Sequence, residues 1–443
     1  MPEAYHTIVS EGYIIVSLIN MSKLKKTYSK LLAFTGKSLG IDAAYFAKGG
    51  LWGTVQQIIG LSSGLVIAYM FGHWAPKALF GEYNLVLSIF STVSIVSIPG
   101  LSISLFRSVA RGWDSSLKET VKTRFLWSLL GIPLILFVAY YYLKQNSDVL
   151  PMTLVIISLA FPFFHSFGSV NSFFVAKKRF DLQALFVSIS SLLTATLVGL
   201  AVFFTNNLLL ILGGYIAGVS LPLILGLIYS EKKLVGTRTK VDKDLVPYGY
   251  FLTKLQILPI IASHISNILL AIYLGVDALA VFIVASKFPG IIQKNFDVFF
   301  KPITAKLAAQ SAREHKITLK KHLGKFFILG LAMFSFIWLF VPWLIPWLYG
   351  PQYFDAIGHA RFYSWLILPL PLIWLFGDII TFQKRKRVIF YKNTFIPILK
   401  LIAYFIIIPR WQITGLIAIM LGERIFTLII SGVSVLFFPA GNS

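Results

Sequence analysis

Between residues 49 and 438 the chain is a succession of apolar stretches, each near the length of about 20 residues that a helix needs to cross a bilayer. That pattern decides the fold class before any motif is read. Hydrocarbon offers no water to backbone polar groups, so segments of this length must satisfy themselves as helices. Twelve spans are expected, over 49–71, 83–105, 125–143, 152–175, 182–204, 208–230, 250–274, 280–300, 325–348, 359–381, 394–410 and 413–438. Composition agrees: 13% of residues are charged, against about 25% in a soluble domain. Pro99, Pro133, Pro162, Pro222, Pro259, Pro289, Pro369 and Pro371 fall inside spans, where neighbouring helices can satisfy the carbonyls that proline frees.

The net charge of +23 would suit a nucleic-acid partner, but its placement argues otherwise. Taking a cytoplasmic N-terminus, the outer loops hold only Lys77, Lys144, Arg361 and Arg410, and most other basic residues lie on inner segments. This is the positive-inside pattern, with both ends cytoplasmic. Basic runs such as Gln383–Arg387 are then inner-loop anchors, and Trp343, Trp347, Trp365 and Trp411 mark outer boundaries. The sequence carries no cysteine, no nucleotide loop, no Ser/His/Asp set and no metal-ligand spacing, so neither an enzyme nor a bound cofactor is expected.

The chain divides into a cytoplasmic N-terminal segment (1–48), a first half (49–230), a cytoplasmic linker (231–249), a second half (250–438) and a short tail (439–443). Within the first segment, Ser22 to Tyr45 mixes lysines with leucines as a surface helix on membrane lipid would, and Met21 reads as a natural start after an upstream extension. The halves echo one another. Gly64–Gly72 (GLVIAYMFG) closes span one as Asn267–Gly275 (NILLAIYLG) closes span seven, and Ala78–Tyr83 and Asp277–Phe282 open the spans that follow. Six spans in each half, in the same orientation, imply a duplication about an axis along the membrane normal, with a site between the lobes.

Charged groups at membrane depth cost roughly 2.5–3.5 kcal/mol each on the mildest scale, so they face a cavity or a partner. The hairpin of spans seven and eight carries Lys254, His264, Asn267, Lys287, Lys294 and Asp297. Lys287 is halfway down its span, too deep to reach either surface, and is the strongest candidate for lining a cavity. Lys294 lies two turns on along the same face, with Asp297 as a neutralising neighbour. Lys254 and Lys400 are short of the inner surface and can snorkel to it, with Lys254 also a candidate for lining the cavity. Arg424 is a further cavity candidate, as are Lys48 and Arg107 at the cleft mouth. Asn267, Glu423 and Asp378 are candidates for coupling or for pairing the lobes, and His264 and His165 read as core.

The residues also resemble a family. Lys48–Ile58 (KGGLWGTVQQI), Phe80–Ile89 (FGEYNLVLSI), Ser97–Gly112, Tyr273–Lys287 and Trp347–Ala356 (WLYGPQYFDA) are similar to polysaccharide flippases of the O-antigen, Wzx-type branch of the multidrug/oligosaccharidyl-lipid/polysaccharide exporter superfamily. The likeness covers nearly all of residues 45–438. Two positions depart from it: Asn267 stands where relatives often carry an acid, and Phe282 where they carry a tyrosine. The resemblance implies two six-helix lobes around a central cavity in a bacterial inner membrane. It also implies export of an undecaprenyl-pyrophosphate-linked oligosaccharide, alongside other glycan-assembly proteins. A doubly anionic headgroup moving outward would gain about 2.3 kcal/mol per charge per 100 mV from the membrane potential, and proton or sodium coupling is an equal alternative. Three rival readings stand beside this one. A drug/cation antiporter would bury more acids than bases, a polymerase or ligase would need a large outer loop, and a channel would need no second half.

Overall fold

A computed structural model describes residues 43–145, 149–235, 240–308, 310–383 and 385–437. The expected tail and nearly all of the expected surface helix lie outside the described residues. The first half comprises α1 (Ala43–Trp74), α2 (Lys77–Val93, continued by a 3-10 turn to Ser97), α3 (Gly100–Ala110), α4 (Ser116–Ser128) and α5 (Gly131–Leu143). It continues with α6 (Val149–Ser158), α7 (Phe161–Ser166), α8 (Ser169–Ala176), α9 (Phe180–Phe204) and α10 (Leu208–Lys233). The second half comprises α11 (Leu245–Leu274), α12 (Val276–Ala308), α13 (Ala312–Tyr349), α14 (Asp355–Ser364), α15 (Leu370–Phe382), α16 (Lys386–Phe390) and α17 (Ile396–Phe437).

Nine helices among the described residues are long and apolar enough to cross a membrane, and α6 with α7–α8 forms a tenth span bent by 57°. The difference from twelve lies in span ten, which is broken, and in spans eleven and twelve, which run together; span two is broken too, but its longer part is one of the nine. Span two is interrupted at Pro99, between α2 and α3, and span ten around Pro369, between α14 and α15. The last two spans run together as α17, but Gln412 inside it has non-helical backbone angles (φ 53°, ψ −142°). Lys400 and Glu423 then decide the geometry. A straight helix would hold them about 35 Å apart, yet their side chains meet at 2.7 Å. The chain therefore folds back at Gln412 and crosses twice, giving twelve crossings among the described residues.

The duplication shows in the packing. Span one (α1) lies on span five (α9) as span seven (α11) lies on span eleven (first half of α17), and span two touches span four (α3 on α8) as span eight touches span ten (α12 on α14). The fold is thus two six-span lobes related by a pseudo-two-fold axis. They meet mainly through α2 and α3 against α11, α2 against α12, and α1 against α13.

The cores show how these lobes are set. One large apolar cluster joins both lobes at the end remote from the linker, combining Phe71, Phe80 and Tyr83 with Leu279, Phe282, Tyr349 and Tyr353. Towards the linker end the core divides. Leu101, Leu105, Phe173 and Phe174 pack in the first lobe with Leu245 of the linker end, while Leu319, Phe326, Leu375 and Phe376 pack separately in the second. One core spans both lobes at the far end, whereas at the linker end the first-lobe core reaches only the start of α11 and does not join the second-lobe core, so the rest of the lobes diverge as a V that opens towards the linker.

Candidate functional site

The closed tip of the V is built on close backbone approach. Gly72 lies against the backbone of Tyr349, and Gly81 against the Val276 carbonyl, so a Cβ at either position would collide with backbone of the other lobe. Gln352 donates to the carbonyls of Gly72 (2.7 Å) and Ala75 (3.2 Å), and Lys77 pairs with Asp355 (2.8 Å). Phe80 stacks near Tyr349 and Tyr353, with ring centroids at 6.0 and 6.3 Å. These contacts account for the family-like stretches noted above. Gly350 turns the chain with φ 75°, a conformation that favours glycine, and Tyr353 follows into the shared core. Further in, Asn267 donates to Ser88 Oγ at 3.0 Å, a neutral bond between span seven and span two.

Below this tip lies the basic group. Lys294 is exposed and Lys287 and His264 are half-buried, and both lie within electrostatic reach of Lys294. Lys287 is eleven residues into α12, about 17 Å along the axis or half a bilayer. Next to Lys294, Asn295 accepts a short hydrogen bond from Gln57 of α1, so this part of α12 faces the first lobe across the cleft. Among the described residues, neither lysine forms an ion pair. Lys254 is also exposed and unpaired by carboxylate, ten residues before His264 on α11. Lys294 and Lys254 lie about 27–30 Å from the far end, near the inner boundary, whereas Lys287 is at mid-depth, where an unpaired charge calls for a water-accessible cleft.

A second polar group sits inside the second lobe. Lys400 binds Glu423 and lies 5.7 Å from the Tyr404 ring. Arg424 is half-buried and acts electrostatically on Tyr363, as does Glu423. Lys400 is thus held by a carboxylate inside the lobe, where sequence alone suggested that it reaches for the surface.

The remaining expected residues lie elsewhere. Arg107 stacks 4.8 Å from the Tyr248 ring at the linker end, beside Ser108, which donates to Asp242 Oδ2 at 2.7 Å. That bond, with the nearby Arg107 and Arg111 charges, holds the Asp242 carboxyl below its ordinary range. Asp378 is half-buried near the linker end of α15. Lys48 is part of α1 and Asp297 of α12, but their side chains lie outside the described residues.

Sequence reasoning missed Arg124, which it placed in a loop before span three. It lies inside α4 and is 6% exposed. The signal was present: Leu117, Thr120, Arg124 and Ser128 recur at helical spacing and are all buried.

Comparison with known proteins follows from this geometry. Residues 46–307 match the family model described as polysaccharide biosynthesis protein. An inward-facing multidrug resistance MATE transporter of the MOP superfamily superposes with a TM-score of 0.61 at 13% identity, covering 86% of this chain and 97% of that one. The lipid II flippase MurJ in an inward closed conformation gives 0.60 at 13% identity, covering 88% of each chain. A MOP superfamily transporter from Pyrococcus furiosus, whose binding pocket is described as having reversed polarity, gives 0.56 at 14% identity and covers 88% and 94%. No curated protein sequence matches closely enough to count as a relative. The fold is shared with these transporters, and with more than half its length matched by one family model the chain belongs to the polysaccharide biosynthesis protein family.

Proposed function

We propose that the protein is a flippase for an anionic lipid-linked oligosaccharide, an O-antigen, capsule or similar repeat unit on a polyprenyl pyrophosphate. It would work in a bacterial cytoplasmic membrane with both termini inside. The observation that carries this reading is the pair of Lys287 and Lys294, cationic and without ion pairs among the described residues, beside His264 in a cleft that opens at the linker end. A pyrophosphate with sugars attached cannot cross hydrocarbon unaided, and such a cleft supplies both water and countercharge. With the linker cytoplasmic, the V faces inward, where the lipid-linked unit is assembled. Opening the far-end seam while closing the linker end would release the headgroup outside, in the manner of two repeats rocking about a central site.

The sign of the charge separates this reading from the multidrug one. Cationic drugs would be repelled by Lys287 at mid-depth and Lys294 nearer the cleft mouth, and would call for exposed acids there instead. In energetic terms, outward movement of an anion is favoured by a negative interior, by about 2.3 kcal/mol per charge per 100 mV. The potential can therefore supply part of the driving force, with proton or sodium coupling as an equal alternative.

The test is genetic. In cells that depend on this gene for surface glycan, Lys287→Ala and Lys294→Ala should each reduce surface glycan and leave lipid-linked units accumulated inside. Full surface glycan with both lysines replaced would remove the basic group from the account.

A further inference from the structure

Span two is broken in a costly way. Ile98 adopts a left-handed backbone (φ 52°) just before Pro99, and a β-branched residue in that conformation costs on the order of 1–3 kcal/mol. Such strain persists only where the surroundings enforce it. The break also frees backbone groups. The amide of Leu101 turns back to Ile98 at 3.0 Å, leaving the Ser97 carbonyl without its helical donor. The Gly100 amide, whose own helical acceptor is lost, donates to Thr253 Oγ1 of α11 at 3.0 Å.

Arg124 supplies what the break lacks. Its Nε–H donates to the Ser97 carbonyl at 3.1 Å, before the break. Its Nη1 donates to Ser102 Oγ at 2.8 Å, beyond the break, and to Ser169 Oγ of α8 at 2.9 Å. One guanidinium thus ties together both halves of span two and the helix behind them. It forms no ion pair with a carboxylate among the described residues, and burying an unneutralised cation costs several kcal/mol. A neutral side chain could cap one carbonyl for less. Only the fixed fork of arginine spans three acceptors at once.

The two halves it joins pack on different partners. The α2 half forms the far-end seam against α11 and α12, whereas the α3 half lies between α8 and the start of α11. A bend at residues 97–100 therefore moves the seam relative to the wall at the linker end. We propose that Arg124 is a positioning residue that pins this hinge, about which the α2 half swings when the lobes exchange which end is sealed. The hinge rests on the alternating-access part of the transport reading and is independent of the cargo.

The chain has no cysteine, so paired spin labels can be placed directly at Pro76→Cys and Phe106→Cys, at the two ends of span two. With Arg124 intact, the distance distribution should be narrow. Arg124→Gln should at least double its width, and Arg124→Lys should behave alike because a single ammonium cannot bridge both halves. Unchanged width in folded Arg124→Gln protein would overturn the hinge. If that variant does not fold, Ser102→Ala with Ser169→Ala leaves the bonds to the Ser97 carbonyl and hydroxyl in place and removes the other two. Broadening there supports the pin and an unchanged distribution refutes it. The measurement uses no cargo, so its failure leaves the flippase proposal untouched, and failed glycan export leaves the hinge untouched.

Discussion

Cutting the far-end clasp should shift the balance between lobe arrangements, and the contacts set the size of the shift. Gln352 holds two carbonyls of the opposite lobe, at 2.7 and 3.2 Å, and each such bond contributes about 0.5–1.5 kcal/mol net. Lys77 and Asp355 are 22% and 53% exposed, so their pair is solvent-screened and worth about 0.2–1 kcal/mol. Replacing Gln352 and Asp355 together with alanine therefore removes about 1.2–4 kcal/mol from the sealed state. At about 1.4 kcal/mol per factor of ten, the separated far end becomes at least about tenfold more populated. Ala280 reports on this. It is fully buried, one turn beyond Val276, which touches Gly81 across the seam. An Ala280→Cys reporter, in a chain with no other cysteine, reacts with a membrane-impermeant maleimide from the far side only when the seam parts. The double variant should label about tenfold faster than the reporter alone. Equal labelling rates would show that these contacts do not hold the seam.

Three further outcomes follow from the same contacts. Asn267→Leu removes the bond to Ser88 and should cost about 1 kcal/mol of thermal stability, more than the same change at an exposed lipid-facing position, because Ser88 is left buried beside it. Lys400→Met should destabilise by at least about 1 kcal/mol more than Lys400→Met combined with Glu423→Gln, since the single change strands a partly buried carboxylate; additive melts would contradict the pairing. Asp242 has a lowered carboxyl pKa through its bond from Ser108, so its contribution to stability is present above the unfolded carboxylate range and lost as pH falls through the folded value. Ser108→Ala should therefore lower the melting temperature slightly at neutral pH, and the gap should close in strong acid.

Which parts were legible from the sequence follows from physical range. Span positions were readable because hydrocarbon thickness imposes a length that any apolar run displays, and even the fold-back at Gln412 falls between the expected spans ending at 410 and starting at 413. The prolines were readable as residues but not as breaks. Pro222 and Pro259 lie inside continuous helices, whereas Pro99 interrupts one; the difference is made by Arg124 and Thr253, which are remote in sequence. Arg124 was hidden by the charge pattern itself, since a basic residue before an apolar run looks like every other inner-loop anchor. Lys287 and Lys294 could be placed on one face of one helix, but His264 joins them only because α11 packs beside α12. Likewise Asn267 and Ser88, or Lys77 and Asp355, meet across the lobe interface, which no local pattern encodes.

The central claim is that an anionic lipid-linked glycan crosses through a cationic cleft, and transport by the purified protein tests it most directly. In vesicles carrying the protein and a polyprenyl-pyrophosphate oligosaccharide in one leaflet, appearance of the glycan in the other should depend on the protein. It should accelerate when the receiving side is made positive, and slow at least about tenfold when both Lys287 and Lys294 are replaced by alanine. Glycan movement that ignores both the lysines and the potential, or vesicles that instead accumulate a cationic drug, would contradict the account.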